Sequence, residues 1–244
     1  MDGRAEETGV ERVLWITGAG SGMGRAVARS AVAAGWTVAL SGRRADALHE
    51  TAVAAGGTCL ELPLDVRDGE AVRAARERVV GEFGRIDGLV LAAGRNTPRR
   101  NWDDQEIATF HDVVAVNLGA VVTVLDATLP DLRASSGVAV VVSSYAGWSF
   151  HPSAGVAYSA SKTALGSVVR TLNATEAGHG VRACHLCPGD VATDFLDQRP
   201  NVPDAAARER MLTPDDIART VQFVLDSPAH VRIDELVVSP VVQR

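Results

Sequence analysis

Two side chains able to handle a proton stand four residues apart in Tyr158-Ser159-Ala160-Ser161-Lys162. Lys162 is the only lysine of the chain, every other basic residue being arginine, and Tyr158 is one of two tyrosines. On a helix, residues i and i+4 share a face. A free phenol has a pKa of about 10, too high for a base at neutral pH, and a neighbouring cation favours the phenolate. Tuned toward the working pH, such a group serves transfer in both directions. Arginine would keep the charge but spread it over a planar fork that does not give up its proton, whereas lysine offers a compact ammonium. Upstream stand Ser144, at the end of an apolar run, and Asn117, inside VVAVNLGAV.

A second constellation lies near the N-terminus, in Thr17-Gly18-Ala19-Gly20-Ser21-Gly22-Met23-Gly24. Glycines let a backbone approach a pyrophosphate, and a following helix supplies N–H groups and the positive end of its dipole. The spacing is TGxxxGxG rather than GxGxxG; placed between a strand and a helix, it reads as a nucleotide cradle. The next strand ends VALSGRR. Arg43 and Arg44 stand where an acidic residue would select the ribose 2′-hydroxyl, so NADP(H) is favoured over NAD(H).

These residues need a scaffold, and short apolar runs alternating with Ala-rich helical stretches supply one. Strands are predicted at 12–17, 36–41, 58–66, 86–94, 137–144, 181–188 and 233–240. Helices are predicted at 25–34, 46–55, 69–83, 103–128, 158–177 and 213–225, the last announced by Thr213 and Pro214. Strands apolar enough to be buried on both faces, separated by helices, imply an α/β fold: one doubly wound parallel seven-stranded sheet, a Rossmann fold with helices on both faces. Residues 11–244 are read as one domain and 1–10 as a mobile start. The irregular stretch 194–211, with Pro200 and Pro203, follows a strand end, where such sheets place ligands, and is read as a substrate lid.

Taken together, the ordered motifs resemble those of the short-chain dehydrogenase/reductase family over nearly the whole chain, from about Arg12 to Pro240. They are the glycine turn at 17–24, LDV at 64–66, Asn117, Ser144, YxxxK at 158–162 and PGDVAT at 188–193. The resemblance implies a catalytic tetrad. Tyr158 is the general acid/base, and Ser144 bonds the same substrate oxygen. Lys162 bonds the nicotinamide ribose and lowers the Tyr158 pKa. Asn117 holds a water in a relay to Lys162. It implies further that Gly18, Ser21, Gly22, Met23, Gly24, Arg43, Arg44, Asp65, Val66, Ala92, Ala93, Gly94, Pro188, Gly189, Val191 and Thr193 line the cofactor site with Tyr158 and Lys162. The implied function is an NADP(H)-dependent oxidoreductase interconverting a ketone or aldehyde with an alcohol, a carbonyl reductase in the cell. A non-catalytic NADP-binding regulator, an NAD-preferring member, or epimerase or dehydratase chemistry stay open, and a homodimer or homotetramer is implied. Three departures stand out: Leu91-Ala92-Ala93-Gly94 replaces NNAG, Ser144 and Tyr158 are one residue further apart than usual, and the tail DELVVSPVVQR lacks glycine.

The substrate is read from the loops. GRNTPRRNW carries Arg95, Arg99, Arg100 and Trp102; Trp148, Phe150 and His151 follow Ser144; Phe195 opens the irregular stretch. Aromatic residues point to a bulky apolar carbonyl compound. The arginines point to an acidic one or merely to a solvated loop. Arg95, Ser144, Trp148, Phe150 and Phe195 are the candidate substrate residues, with His151 at the rim. A net charge of −6 speaks against a general nucleic-acid binder. The apolar runs are strand-sized, so no membrane partner is expected. Three cysteines fit a reducing cytoplasm rather than a disulfide framework. Cys184 and Cys187, three apart on a strand, are expected on opposite faces, and no metal site is predicted.

Overall fold

The computed structural model describes residues 12–242; the expectation of a mobile stretch at 1–10 lies outside the described residues. Seven strands, β1 (Arg12–Thr17), β2 (Trp36–Gly42), β3 (Cys59–Pro63), β4 (Gly88–Leu91), β5 (Val138–Val142), β6 (Arg182–Pro188) and β7 (Glu235–Val238), pair in parallel in the order β3-β2-β1-β4-β5-β6-β7. This is the doubly wound sheet the alternation of elements predicts. Chain order reverses between β1 and β4, and the carboxyl ends of strands open a crevice there.

Period-two alternation builds two cores from one strand. Leu14 and Ile16 of β1 face a layer with Val27 and Ala31 of helix α1 (Gly22–Ala33) and Ile217 and Val221 of helix α9 (Pro214–Leu225). Val13 and Trp15 face the opposite layer. It holds Val72 and Val79 of α3 (Gly69–Phe83), Val124 and Leu132 of α5 (Ala120–Ser135), and Leu165 and Val169 of α7 (Val156–Glu176). Successive strand residues point to opposite faces, so strands this apolar must be covered twice. The remaining helices are α2 (Ala45–Ala55), α4 (Ile107–Val114), and the one-turn α6 (Tyr145–Trp148) and α8 (Ala205–Arg208).

Two boundaries differ from the sequence-based expectation for physical reasons. The third strand stops at Pro63, because Asp68 turns the chain into α3 by accepting hydrogen bonds from the N–H groups of Glu70 and Ala71. The helix predicted at 103–128 instead spans Ile107–Ser135. Asn101 and Asp104 form a turn before it, and the buried stripe Leu125, Thr128, Leu132 carries it past Pro130. A π-helical turn, Ala115–Gly119, interrupts it around Asn117. This helix is long and apolar enough to cross a membrane by length and composition, where strand-sized runs were expected; here it packs on α3 and α7. α9 begins as predicted: Thr213 and Asp216 form a reciprocal capping box with Pro214 at the first turn.

Candidate active site

Strand ends converge on one cavity of about 680 Å³, lined by the glycine turn, Arg43, Arg44 and Asp65 and also by Tyr158, Phe195 and Arg199. Gly18 and Gly22 adopt φ of +69° and +51°, which side chains rarely tolerate. A Cβ on Gly18 would lie 2.7 Å from the Ala93 nitrogen, and one on Gly24 would run into the Gly18 carbonyl. Ser21 makes no side-chain cap bond, and the first turn of α1 has no acidic residue. The N-terminal N–H groups of this helix therefore meet the cavity without a competing carboxylate, a setting suited to phosphate. Ala92 and Ala93, where an amide-bearing turn is usual, are braced through Thr17: its carbonyl accepts from the Ala92 N–H at 3.3 Å and its hydroxyl from the Ala93 N–H at 3.4 Å.

Gly24→Ala tests this packing. Overpacking of this kind costs about 1–3 kcal/mol. For a chain of this size that is a Tm fall of roughly 2–4 °C per kcal/mol. A dinucleotide titration should show weakened binding in the same variant, and an unchanged Tm together with unchanged affinity would rule out the close approach.

Arg43 and Arg44 are exposed at the end of β2. Arg67 hydrogen-bonds Asp65 through Nε and Nη2 and reaches Asp112 of α4 at 2.5 Å. Those Arg67 bonds, with Arg43's charge behind them, hold the Asp65 carboxyl below its ordinary range. Val66 also lines the cavity. Pro188 at the end of β6 and Gly189, Val191 and Thr193 after it line the cavity too, and the Thr193 methyl group faces Gly22.

The four tetrad residues come together around α7. Tyr158 and Ser144 line the cavity together, and Ser144 also caps α6 by accepting from the Ala146 N–H at 3.2 Å. The Ser143 hydroxyl is committed elsewhere: the residue is buried and donates to the Lys162 carbonyl at 3.0 Å. The extra residue between serine and tyrosine falls in a stretch that folds as α6 and the short 3-10 turn Pro152–Ala154. Lys162, 4% exposed, donates to the Val142 carbonyl at 2.8 Å and sits 5.8 Å from the Tyr158 ring centroid. Burial pulls its pKa down to about 8. Burial raises that of Tyr158, opposed first by the Ser144 hydrogen bond and then by the charges of Arg199 and Arg100. Lys162 is thus not among the groups that dominate the phenol here.

Asn117, fully buried at the π-turn, does not bond Lys162. Its amide clamps the Arg95 backbone, accepting from N–H at 2.8 Å and donating to C=O at 3.0 Å, and it also donates to the Ser161 hydroxyl at 3.1 Å. Gly94 lies between the two side chains: a Cβ there would be 3.5 Å from Asn117 Oδ1 and 3.7 Å from Lys162 Nζ.

The substrate residues divide. Ser144, Arg95 and Phe195 line the cavity, and the Phe195 ring lies 6.0 Å from that of Tyr158. Trp148 and Phe150 do not. They are 50% and 83% exposed, because α6 turns its Trp148 edge onto Tyr145 at 5.2 Å and leaves Phe150 on the outer side of the loop. Tyr145 and His151 line the cavity in their stead. Of the loop arginines, Arg95 pairs with Asp112 and Arg99 with Glu106. Of the three, only Arg100 is buried. Arg199 was not singled out in the sequence, since only its place beyond a strand end marks it.

Cys184 belongs to the α1–α9 core, whereas Cys187 faces the other side, 3.4 Å from His185 Nδ1. His185, Cys187 and Glu235 bring one donor atom each within 4.8 Å of one another. The His185–Glu235 hydrogen bond of 2.9 Å links two of them, and burial pushes the Cys187 thiol up to about 12, keeping it protonated.

Comparison with known proteins agrees with this arrangement. A family model described as short chain dehydrogenase matches residues 12–202. Sulfoacetaldehyde reductase 2 of Chromohalobacter salexigens is 34% identical, over 93% of this chain and 94% of its own length. An alcohol dehydrogenase from the archaeon Thermococcus sibiricus, solved with 5-hydroxy-NADP, superposes with a TM-score of 0.85 at 33% identity, covering 96% of this chain and 98% of that one. A 3-ketoacyl-(acyl-carrier-protein) reductase from Brucella melitensis, solved with NADH, gives 0.87 at 26% identity, covering 94% and 98%. With its parallel sheet, glycine turn and YxxxK helix all in place, the chain belongs to the short-chain dehydrogenase family and is an oxidoreductase of that type.

Proposed function

We propose that this protein is an NADP(H)-dependent oxidoreductase that interconverts a carbonyl compound and an alcohol, working as a carbonyl reductase. The observation that carries this reading is that Tyr158 and Ser144 line the same cavity as a glycine turn whose Gly18 and Gly24 leave no room for a Cβ. When bound, the nicotinamide supplies or accepts a hydride at the substrate carbon. Gly18, Ser21, Gly22, Met23, Gly24, Ala92, Ala93 and Gly94 hold the dinucleotide by close backbone approach, Asp65 and Val66 frame its adenine, and Pro188, Gly189, Val191 and Thr193 frame its nicotinamide end. Tyr158 gives its proton to the carbonyl oxygen in reduction and takes it back in oxidation. Ser144 bonds the same oxygen, and Lys162 is placed to replenish the phenol's proton. Asn117 positions Arg95 and the π-turn behind Lys162.

Cofactor preference rests on Arg43 and Arg44, exposed and with no carboxylate between them at the strand end. A charge-assisted hydrogen bond contributes about 1.5–3 kcal/mol, so NADPH should be preferred over NADH by about tenfold or more, and Arg43→Ala with Arg44→Ala should erase that margin. Loss of nicotinamide absorbance in step with product formation across a carbonyl panel tests the reaction itself; absence of turnover with every carbonyl and both cofactors would remove it.

The stretch Asp194–Met211 is proposed as a lid. Its base is closed by the Val191–Leu212 bridge, and Gln198 ties it to the loop after β4 by accepting from Asn96 N–H at 2.8 Å. Cofactor with substrate should protect it from limited proteolysis. A homodimer or homotetramer is proposed through the helix Ile107–Ser135, on which Ile107 and Val122 are 69% and 45% exposed; light scattering that shows a monomer at micromolar concentration would exclude it. The relative named for sulfoacetaldehyde, a small sulfonated aldehyde, supports a compact polar substrate over a bulky apolar one.

A further inference from the structure

Arg100 is the anomaly of the cavity. It is 8% exposed, yet no carboxylate pairs with it among the described residues. Its Nε, Nη1 and Nη2 donate to the carbonyls of Thr97, Ser153 and Gln198 at 2.8, 3.0 and 2.8 Å. A guanidinium carries five N–H donors, so two are left over. The side chain lines the cavity beside Tyr158 and Arg199. Arg199 pairs with Asp190, which also lines the cavity. Two guanidinium charges therefore meet one carboxylate next to the phenol. Burial and the like charge of Arg199 both push the Arg100 pKa down, as expected of a buried cation lacking a counter-charge. Arg95 and Arg99 are each paired with a carboxylate, Arg95 with the Asp112 it shares with Arg67 and Arg99 with Glu106.

We infer that Arg100 and Arg199 form an anion subsite, and that the substrate is a small aldehyde or ketone carrying an acidic oxyanion, a carboxylate or sulfonate, a short distance from its carbonyl. This rests on the carbonyl–alcohol reading above and narrows it. The oxyanion takes the free N–H donors of Arg100 while the carbonyl oxygen meets Tyr158 and Ser144. Arg100, Arg199 and Tyr158 line one cavity, and Arg100 and Tyr158 share a second small pocket as well, so a short substrate spans from the guanidiniums to the phenol. Arg100 also ties the loop after β4 to the proposed lid through Gln198, so the anion binds where the lid is fastened.

The probes are succinic semialdehyde and its neutral methyl ester, assayed with NADPH, and succinate, titrated by calorimetry into the NADP-loaded protein. The acid should be used with a kcat/KM about tenfold or more above the ester, as loss of a charge-assisted hydrogen bond implies. Arg199→Gln and Arg100→Lys should each narrow that ratio by a similar factor, and succinate binding should weaken in both. Arg199→Gln keeps the test valid if Arg100→Lys loosens the loops. Equal use of acid and ester by the wild type, or a ratio unmoved in both variants, overturns the subsite. Succinate binding without turnover of any carbonyl would support the subsite while sinking the reductase reading.

Discussion

Tyr158→Phe is expected to lower kcat by roughly 10³-fold, within the range a positioned general acid supplies, while cofactor affinity and Tm stay near wild type. The change removes one oxygen. The ring keeps its packing against Phe195 at 6.0 Å, and the backbone carbonyl of residue 158 still accepts from the Ser161 hydroxyl at 2.8 Å. Ser144 retains the Ala146 N–H. What disappears is the proton donor for the carbonyl oxygen. Burial raises the phenol's pKa, so at neutral pH it holds its proton, the state reduction requires. Oxidation requires the phenolate and should therefore accelerate as pH rises, whereas reduction should decline only at alkaline pH. The phenylalanine variant should flatten both profiles along with the rates. Retention of more than a tenth of wild-type kcat, or an oxidation rate that falls with rising pH, would remove Tyr158 from the role.

The sheet, its order of elements and the glycine cradle were legible because each is encoded locally: period-two strands, a capping box at Thr213, glycines where a Cβ collides. Long-range partners were not. Arg95, Arg99 and Arg100 look alike in GRNTPRRNW, and only the fold shows that Asp112 and Glu106 claim the first two. Trp148 and Phe150 follow Ser144 closely, but the one-turn helix α6 swings them outward and brings Tyr145 in. The π-turn at Asn117 leaves no mark on composition, because a single inserted residue does not disturb an apolar helical stripe. The clamp of the Asn117 side chain on the Arg95 backbone was equally hidden, because it joins residues 22 apart. Arg199 sits in a proline-flanked stretch with no periodicity, so only its place beyond a strand end marked it for the site.

Lys162 is expected to be kept at the expense of stability, and two substitutions separate its roles. Burial moves its pKa from an ordinary 10.5 to about 8, a differential of roughly 3 kcal/mol at 1.36 kcal/mol per unit. The sign follows from proton counting. Below pH 8 the amine is charged in both the folded and unfolded chains, and the full penalty weakens the fold. Between pH 8 and 10.5 the folded protein sheds the proton first and the penalty shrinks; above 10.5 it is gone. Lys162→Met removes the penalty but leaves the Val142 carbonyl without its donor, costing about 1–3 kcal/mol. The methionine variant should therefore gain on wild type at pH 7 relative to pH 10.5, measured in a Cys187→Ala background because the Cys187 thiol is coupled to the Lys162 charge. Lys162→Arg should do the reverse. A guanidinium in this closed slot brings donors with nothing to bond, and it cannot release a proton at working pH. Both variants should lose at least about 10²-fold in kcat, and the arginine variant should in addition be less stable at pH 7. A methionine variant whose stability relative to wild type does not change with pH would show that the amine is not strained, and an active arginine variant would show that the chain's only lysine carries no proton.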